Sequence, residues 1–425
     1  MRFQQIAVAC ALLDARAFAT QPADNQIQLG PRPYYLVSKM DAGSPLKQQL
    51  ETCSVKDFKT NDFIISHRGA PLQFPEHTAE GVRAAARQGA GVIECDVTFT
   101  KDKQLVCRHS QCDLHTTTNI LLTPLAAKCT QPFVPANGAT PASAKCCTSD
   151  ITLAEFRSLC AKMDAAYKTA TTAAAYVGEG TPFYRTDLYA TCGTLMSHAD
   201  YIGLVSSLGK KFTPEAKLPE VPMPYQGTYT QEQFVQQIVN EYKAANIPPS
   251  SVWLQSFERG DMLYLVANEP EFAKQAVYLD QNVDNGIATL GNGDLNKYFN
   301  DIVADGINIV APAMYALITI GSSGTVVPSA YATAARAAGL DIITWSFERS
   351  PPMQKGGAAD YYYASVTPYM TNDGRTLEVL DVLARQVGVI SIFSDWPATV
   401  TYYWNCVLCS ANSNGSGHRR LRGGR

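Results

Sequence analysis

The sequence predicts a (β/α)8 TIM barrel, in which eight parallel strands form a closed cylinder inside a ring of helices, with a large cysteine-rich insertion after the second strand. From Phe63 onward, an apolar run, a loop and an amphipathic segment recur along the chain eight times. Near-continuous apolar strands that alternate with amphipathic helices indicate a parallel sheet covered by helices, and eight such units are the number that closes a barrel. An open doubly wound sheet is the alternative, but the first turn lacks a G-x-G-x-x-G pattern.

The predicted elements follow one another in a regular order. The strands are FIISH (63–67), GVIECDVTFT (91–100), FTPEAKL (212–218), SVWLQSF (251–257), QAVYLD (275–280), INIVAPAM (307–314), LDIITWSFE (340–348) and GVISIFSDWP (388–397). The helices that follow them are AEGVRAAARQG (79–89), SDITLAEFRSLCAKM (149–163), TQEQFVQQIVNEYKAAN (230–246), RGDMLYLVAN (259–268), LNKYFNDIVADG (295–306), PSAYATAARAAG (328–339), TLEVLDVLARQ (376–386) and ATVTYYWNCV (398–407). In the second helix, Thr152 is the expected N-cap and Glu155 stands at capping-box spacing.

One connection is much longer than the others. About a hundred residues separate His109 from Glu215, whereas an ordinary βα connection takes a handful. Its first part, 111–150, carries four cysteines that can pair and a proline- and alanine-rich stretch. We expect an insertion at about 111–213, held by disulfides beside the mouth of the barrel. It is either a tolerated surface addition or a cap that shapes substrate choice.

The two ends of the chain differ from the barrel. Residues 1–19 resemble a signal peptide, with Arg2 before a short apolar run and an A-x-A pattern that places the cut after Ala19; a cytosolic N-terminal helix is the alternative. Residues 20–61 are expected to be an irregular extension and 62–404 the barrel. The last part, 405–425, is expected to be a disordered basic tail.

Composition limits the function classes. Hydrophobic residues make up 46% of the chain and charged residues 17%, which fits a globular protein with a sizeable core. The net charge of −3 gives no basic stripe for a nucleic acid, and no apolar run approaches the roughly 18 residues of a membrane span. The oligomeric state stays open.

Twelve cysteines indicate an exported protein with a disulfide-rich periphery. Cys95 and Cys107 lie inside apolar strands and are expected to be buried thiols, while the remaining cysteines lie mostly outside the strands. Cys406 and Cys409 are expected to be halves of two bridges rather than a redox motif. A zinc site is not expected, because no paired C-x2-C accompanies matching histidines.

Several polar side chains stand at the ends of predicted strands. Glu94 and Asp96 alternate with an apolar residue, so they point to the same side of the second strand, and Glu215 and Lys217 repeat that spacing on the third. Neighbouring carboxylates repel each other, and one divalent cation, Mg²⁺ or Ca²⁺, relieves the repulsion through oxygen ligands. In a barrel, chemistry is located at the carboxyl ends of the strands, where His67 also lies.

These stretches resemble the glycerophosphodiester phosphodiesterases. The resemblance rests on HRG and PEHT at 67–69 and 75–78, ECD at 94–96, LVCRHS ending near His109, and EAK at 215–217, and it covers roughly 62–404. It implies metal-dependent hydrolysis of glycerophosphodiesters to sn-glycerol 3-phosphate and an alcohol. It also implies that Glu94, Asp96 and Glu215 bind the metal. The sequence departs from the family at His77, where Asn is usual, and at 344–348, where TWSFE replaces a more polar ending.

The same resemblance gives His67 and His109 the roles of acid and base. We favour His67 as the base and His109 as the acid that protonates the leaving group, although the residues themselves do not decide the order. Arg68 can fork onto two phosphate oxygens and Lys217 can act as a point charge. Trp345 is either a stacking contact for the substrate or a core residue. Attack comes from water or, first, from a neighbouring glycerol hydroxyl through a cyclic phosphate.

Three other functions compete with this one. Phospholipase D-like action on lysophospholipids or sphingomyelin uses the same chemistry, and an exposed apolar rim would favour it. A glycosidase with two carboxylates leaves the histidines and the E-x-K motif without a role. A secreted binding protein on a barrel scaffold would be expected to have lost a ligand or a histidine, and none is missing. A secreted, extracellular hydrolase of small glycerophosphodiesters is therefore the preferred reading.

Overall fold

A computed structural model describes residues 26–189 and 192–409. The predicted signal peptide at 1–19 and the tail from 410 onward lie outside the described residues.

The structure confirms a closed barrel of eight parallel strands. In chain order they are β1 Asn61–Ser66, β2 Ala90–Phe99, β3 Lys211–Ala216, β4 Gln255–Ser256, β5 Val277–Leu279, β6 Ile309–Ala311, β7 Asp341–Phe347 and β8 Ser391–Ser394. Strand β1 closes the cylinder, because Ile64 pairs with Ile392 of β8 and Ile65 pairs with Val92 of β2. A ninth, antiparallel strand, Leu105–Cys107, extends the sheet beside β2.

Helices cover the outside of the barrel. They span Ala79–Arg87, His198–Ser207, Gln231–Ala244, Arg259–Asn268, Asn292–Ala304, Ala330–Ala337, Arg375–Asp381 with its continuation Val382–Val387, and Pro397–Tyr403. Their apolar faces and the outward side chains of the strands form the main core, while a smaller cluster that includes Ile65, Val92, Ile309 and Phe393 fills the barrel interior. This packing fixes the strand ends that carry the polar side chains.

The insertion is shorter than the sequence predicts. Helix His198–Ser207 packs against β2 and β3 as a barrel helix, so the expected boundary near 213 is wrong. The expected helix at 149–163 is also wrong beyond its first turn, because it ends at Phe156 although Thr152 and Glu155 form the capping box. Cys160 instead pairs in a short strand with Thr194. The insertion has its own apolar core, formed by residues such as Leu114, Ile120 and Tyr176.

Five disulfides join described cysteines, and they both confirm and correct the predicted pairing. The six cysteines of the insertion pair with one another as Cys112–Cys147, Cys129–Cys146 and Cys160–Cys192. Cys95 and Cys107 were expected to be buried thiols but form a disulfide between neighbouring strands. Cys406 pairs with Cys53, and Cys409 is the free cysteine of the described ranges, so these two are not both bridge halves.

The predicted boundaries at both ends need correction. The extension is not irregular throughout, because helices Arg32–Lys39 and Pro45–Glu51 bury Leu36, Val37, Leu46 and Leu50. These helices contact the last helices of the chain. Residues 405–409, assigned from sequence to a disordered tail, continue the final helix to Cys409, with Asn405, Cys406, Val407 and Leu408 buried. Among residues 26–189 and 192–409, no helix has the length and hydropathy to cross a membrane.

Reduction of the native protein is expected to open the disulfides in the order of their access to solvent. Cys192 is exposed and Cys160 half-buried, so this bridge reacts first and the insertion loosens before the barrel. Cys95 and Cys107 are 0% exposed, so their bridge reacts only when the barrel itself opens. Limited reduction, alkylation and mass mapping measure the order. Labelling of Cys95 and Cys107 ahead of Cys160 and Cys192 would contradict it.

Candidate active site

One cavity lies at the carboxyl ends of the barrel strands. Its empty volume is about 410 Å³, part of it open to solvent. Its walls contain seven of the eight residues expected from sequence, which are His67, Arg68, Glu94, His109, Glu215, Lys217 and Trp345. The eighth, Asp96, lies beside Glu94 and Glu215 within the same group of carboxylates. The fold therefore brings the whole predicted set together from β1, β2, β3, β7 and the segment after the antiparallel strand.

Three buried carboxylates lie close together in the site. Glu94, Asp96 and Glu215 each offer one oxygen, and these atoms lie within 4.8 Å of one another. Strand register explains this, because Asp96 of β2 is paired directly with Glu215 of β3. Burial and the Asp96 charge raise the pKa of Glu94 well above its ordinary value. Burial also raises the pKa of Glu215 to about 8, although Lys217 opposes the shift.

The carboxylate group fits a divalent cation. Asp96 Oδ1 is buried and has no hydrogen-bond partner among the described residues, so one acceptor faces the cluster unsatisfied. A buried acceptor without a partner costs free energy, and the donor set is entirely oxygen, which suits Mg²⁺ or Ca²⁺. The residues present therefore match the cation that the sequence analysis calls for, without distinguishing between the two ions.

Neighbouring groups hold each carboxylate in place. The Arg68 backbone N–H donates to Glu94 Oε2 at 2.7 Å, and Gln255 Nε2 donates to Glu94 Oε1 at 3.1 Å. Lys217 Nζ lies 2.7 Å from Glu215 Oε1. His77 Nε2 lies 2.7 Å from Asp96 Oδ2. The histidine that replaces the usual asparagine of the PEHT turn thus contacts a predicted metal ligand, which its position in a turn did not reveal.

His67 is oriented by a carboxylate at the end of β8. Its Nδ1 lies 2.6 Å from Asp395 Oδ1, and Arg68 Nε donates to its Nε2 at 3.2 Å. Because a guanidinium can only donate, Nε2 is the acceptor and Nδ1 carries the proton towards Asp395. Burial and the Arg68 charge lower the pKa of His67 to about 4. The ring is therefore neutral near pH 7, with its lone pair directed to the cavity side.

Glu76 gathers three arginines around one buried carboxylate. Its Oε2 accepts from Arg68 Nη1 at 3.0 Å, and its Oε1 lies 2.9 Å from Arg349 Nη2 and 3.3 Å from Arg185 Nη2. Although burial alone would raise it, the three arginine charges hold the pKa of Glu76 well below its ordinary value. Arg349 also donates to Asp395 Oδ2 at 2.9 Å. One arginine thus connects the partner of His67 to the partner of Arg68.

His109 reaches the cavity from the segment that follows the antiparallel strand. That strand continues one hydrogen bond beyond its last residue, because the Arg108 N–H donates to the Asp96 carbonyl at 2.8 Å. Burial and the charges of Arg68 and Lys217 lower the pKa of His109 well below its ordinary value. The two cavity histidines are therefore both neutral in this structure.

An aromatic wall closes one side of the cavity. Trp345 donates from Nε1 to the Ala311 carbonyl at 2.8 Å, and its ring stacks on Tyr361 with centroids 6.1 Å apart. Phe257 meets the same indole edge-on at 5.9 Å. Trp345 therefore has a fixed orientation at the cavity wall.

Not every residue at the end of a predicted strand lines the cavity. Asp280 is buried and accepts from Tyr298 and Tyr331 at 2.8 Å and 2.6 Å, and Met314 is buried in the main core. His115 stacks on Tyr176 in the insertion, and His198 pairs with Glu241, so neither histidine lines the cavity. Arg349, Arg185 and Glu76 were not predicted as site residues: the two arginines follow no motif, whereas Glu76 stands in the PEHT turn.

Comparisons with known proteins agree with this geometry. The model of the glycerophosphoryl diester phosphodiesterase family matches residues 67–399. An extracellular protein of Arthroderma benhamiae is 46% identical over 246 residues, which are 57% of this chain and 99% of that protein. A Mycobacterium tuberculosis protein assigned as a glycerophosphodiester phosphodiesterase is 45% identical over 49 residues, 12% of this chain and 18% of its own length. A crystal structure from Silicibacter pomeroyi, assigned to the same activity, shares the fold with a TM-score of 0.53 at 16% identity, covering 85% of this chain and 97% of its own.

A divalent cation is expected to stabilise the folded protein through the three carboxylates. Mg²⁺ or Ca²⁺ at about a hundred times its Kd should raise the melting temperature of EDTA-treated protein by roughly 3 °C. Asp96→Asn and Glu215→Gln should remove that rise. Metal-free Glu215→Gln should be at least as stable as metal-free wild type near pH 7, because a carboxyl group whose pKa is raised by folding costs stability above the pKa it has in the unfolded chain. Metal-free Asp96→Asn should be less stable, because Lys217 and His77 outweigh burial and lower the pKa of Asp96 in the folded protein.

Glu271→Gln is the matched control, because it removes a carboxylate from an exposed ion pair whose glutamate side chain is 67% exposed. It should keep the full response to the cation. A melting temperature of wild-type protein that neither Mg²⁺ nor Ca²⁺ changes would contradict the assignment.

Proposed function

The chain belongs to the glycerophosphoryl diester phosphodiesterase family, and from that premise we propose that it hydrolyses glycerophosphodiesters to sn-glycerol 3-phosphate and an alcohol, with one divalent cation. The observation that carries the proposal is the convergence of three carboxylates, two cationic side chains and two imidazoles on one cavity. The charges of this set, together with a divalent cation, balance the single negative charge of a phosphodiester. Three carboxylates are offset by a divalent cation, Arg68 and Lys217, and the single negative charge of the substrate brings the occupied site to neutrality.

Glu94, Asp96 and Glu215 would hold the cation, either Mg²⁺ or Ca²⁺. A bound divalent cation supplies Lewis-acid polarisation of the phosphoryl group. The protein's own contribution is to orient the three carboxylates, which the contacts from His77, Gln255, Lys217 and the Arg68 N–H support.

Arg68 and Lys217 bind the phosphate oxygens. Arg68 presents a fork of N–H donors at the cavity wall while Glu76 holds its Nη1 group. Lys217 lies over the face of Phe257, with Nζ 5.9 Å from the ring centroid. That ring and the Glu215 carboxylate limit where the ammonium can lie. A planar donor and a point charge that both contact the phosphate would fix its orientation before the bond breaks.

His67 is the general base. Asp395 accepts a hydrogen bond from Nδ1–H of His67, so Nε2 holds the lone pair. This lone pair can take a proton from the attacking hydroxyl, which belongs either to water or to the neighbouring glycerol carbon. In the structure this lone pair accepts from Arg68 Nε. When Arg68 turns to the phosphate, Nε2 becomes available. Substrate binding and base activation are thus coupled through one guanidinium.

His109 is the general acid that protonates the leaving alcohol. Its pKa is lowered by burial and by the cations Arg68 and Lys217. A bound phosphodiester places a negative charge beside these cations and offsets their effect, so the pKa of His109 rises towards its ordinary range when the site is filled. The proton is then available at the moment it is needed. Trp345 lies where its ring can stack on the glycerol or the headgroup.

Phospholipase D-like action on lysophospholipids is a second candidate, and the exposed surface around the mouth favours it. Six large apolar side chains lie at least 38% exposed on connections that leave the carboxyl ends of β2, β3, β5 and β7, and these are Phe183, Leu188, Tyr189, Leu218, Leu290 and Tyr361. An acyl chain could lie against such a rim.

Export from the cell is part of the proposal. The five disulfides require an oxidising compartment to form, and the Arthroderma relative is named as an extracellular protein. The signal-peptide pattern before Ala19 supplies the route. We propose a secreted enzyme that acts outside the cell on small glycerophosphodiesters.

Substrate choice is tested by one assay. Glycerophosphocholine, lysophosphatidylcholine and sphingomyelin are offered in Mg²⁺, in Ca²⁺ and in EDTA, and the released alcohol and phosphoester are identified. We expect release of choline from glycerophosphocholine with either cation and none in EDTA. Faster turnover of lysophosphatidylcholine would favour the second candidate. Full activity in EDTA-treated, metal-free enzyme would exclude the metal-dependent mechanism.

The two histidines are tested by leaving-group dependence. His67→Ala and His109→Ala should each lower kcat by about 10² to 10⁴. A p-nitrophenyl phosphodiester needs no acid, so it should restore the turnover of His109→Ala but not that of His67→Ala. His198→Ala, outside the cavity, is the control for losing a histidine. Rescue of His67→Ala instead would reverse the two roles.

A further inference from the structure

The cysteine-rich insertion reaches the catalytic cavity network through one buried side chain, Arg185. Its residue exposure is 6%, although it lies on a peripheral loop. That loop is closed by the Cys160–Cys192 disulfide, which joins residues 32 apart in the sequence. A long charged side chain is rarely buried unless it has polar or charged partners. The contacts of Arg185 therefore indicate the role of this residue.

Arg185 makes one hydrogen bond and two ion-pair contacts. Nε donates to the Pro71 carbonyl at 2.8 Å, Nη1 contacts Asp164 within the same loop, and Nη2 lies 3.3 Å from Glu76 Oε1 as an ion pair without hydrogen-bond geometry. Pro71 and Glu76 belong to the connection after β1, which also carries His67 and Arg68. The guanidinium therefore ties the insertion to the segment that presents the proposed base and phosphate ligand.

Neighbouring contacts hold the loop in this position. The Thr186 N–H donates to the Leu72 carbonyl at 2.9 Å, and Tyr189 stacks on Phe74 with ring centroids 4.8 Å apart and planes 15° from parallel. Tyr184 donates to the Arg349 carbonyl at 3.4 Å. Residues 184–189 thus lie along residues 71–76, and Arg185 is delivered by a supported segment.

The position of Glu76 decides where Arg68 points. Arg68 lies between two carboxylates, with Nη1 3.0 Å from Glu76 Oε2 and Nε 3.6 Å from Asp96 Oδ2. If Glu76 turns away, Asp96 becomes the nearer anion and attracts the guanidinium. Arg68 would then neutralise a carboxylate proposed to hold the cation, and it would leave the phosphate position. Arg185 and Arg349 share Glu76 Oε1 and prevent that rotation from two sides.

We propose that Arg185 is a positioning residue for the phosphodiesterase reaction: by fixing Glu76 it holds Arg68 in its phosphate-binding orientation, which makes the Cys160–Cys192 loop a working part of the active site. The identity of the substrate in this proposal rests on the proposed function. The positioning of Arg68 rests on the contacts of Arg185.

Arg185→Gln tests the proposal with two independent readouts. The variant removes a buried ion pair with Glu76, and a free-energy change of about 1.4 kcal/mol corresponds to a tenfold change in affinity, so KM for glycerophosphocholine should rise about tenfold, with a smaller fall in kcat. Titration calorimetry with sn-glycerol 3-phosphate should show a similar weakening without turnover, and Mg²⁺ binding should weaken as Arg68 moves towards Asp96. Arg185→Lys keeps the charge and one donor group, so it should recover part of the loss.

Arg157→Gln is the matched control. Arg157 belongs to the same insertion, and its ion pair with Asp200 at 2.7 Å lies on the surface, with the arginine side chain 49% exposed. The variant makes the same change of charge and should leave KM, sn-glycerol 3-phosphate binding and Mg²⁺ binding as in wild type. Melting temperature and disulfide mapping show whether each variant is folded.

The outcomes separate the two proposals. Wild-type values of KM and of sn-glycerol 3-phosphate affinity in folded Arg185→Gln would overturn the positioning role. If that variant does not fold, Asp164→Asn decides, since it releases the outer end of Arg185 and should raise KM in the same direction by about two- to threefold; an unchanged KM there also overturns the role. If wild type binds sn-glycerol 3-phosphate and Arg185→Gln binds it more weakly, but neither hydrolyses a glycerophosphodiester, the proposed function fails and the positioning role stands.

Discussion

The repulsion between three buried carboxylates is the constraint on which the rest of the site depends. Glu94 and Asp96 face the same side of β2, and the parallel register places Glu215 of β3 directly beside Asp96. A low-dielectric interior makes such a cluster costly unless cations and donors surround it. Groups from neighbouring elements of the barrel stabilise the cluster. Lys217 follows the strand that carries Glu215, Gln255 lies on the next strand, and the Arg68 N–H belongs to the turn after β1. The same groups that stabilise the cluster leave Asp96 Oδ1 unsatisfied, and that oxygen marks the place for a cation.

A second group of ion pairs, around Glu76, holds the arginine that is proposed to bind the phosphate. Three arginines contact Glu76, and two of them also pair with Asp395 and Asp164, so three positive charges balance three negative charges beside the cavity. Arg349 extends the network to Asp395 and hence to His67. The proposed phosphate ligand Arg68 and the proposed base His67 are therefore not independent groups, since the Arg349 guanidinium joins their carboxylate partners. A substitution of Glu76 or Asp395 would therefore affect both Arg68 and His67.

The barrel and the residues that line the cavity could be predicted from the sequence, because both depend on local patterns. Each strand is an apolar run bounded by loops, and each motif residue stands at a strand end, so residue spacing alone placed Glu94, Asp96, Glu215 and Lys217 together. Helix 198–207 was missed because its ten residues follow the insertion without an obvious amphipathic pattern, and the N-terminal helices were missed because they are short. Arg185 and Arg349 could not be found from spacing, because their partner Glu76 is 109 and 273 residues away in the chain, and only the fold brings them together.

The Cys95–Cys107 disulfide shows how the oxidised fold and the polar site are joined. Side chains alternate along β2, so the residue between the two inward carboxylates points outward, and Cys95 there is bonded to Cys107 of the antiparallel strand. That strand pairs with β2 through Val97 and Cys107, and His109 lies two residues beyond the bonded cysteine. The covalent bond therefore fixes the register between the strand that carries two proposed cation ligands and the segment that carries the proposed acid. A register slip of one residue would turn Arg108 or Ser110 to the place of His109, and the disulfide excludes that slip while both cysteines remain oxidised. The five described disulfides thus have different roles: three lie within the insertion, Cys53–Cys406 ties the N-terminal extension to the final helix, and Cys95–Cys107 fixes the strands that carry the site.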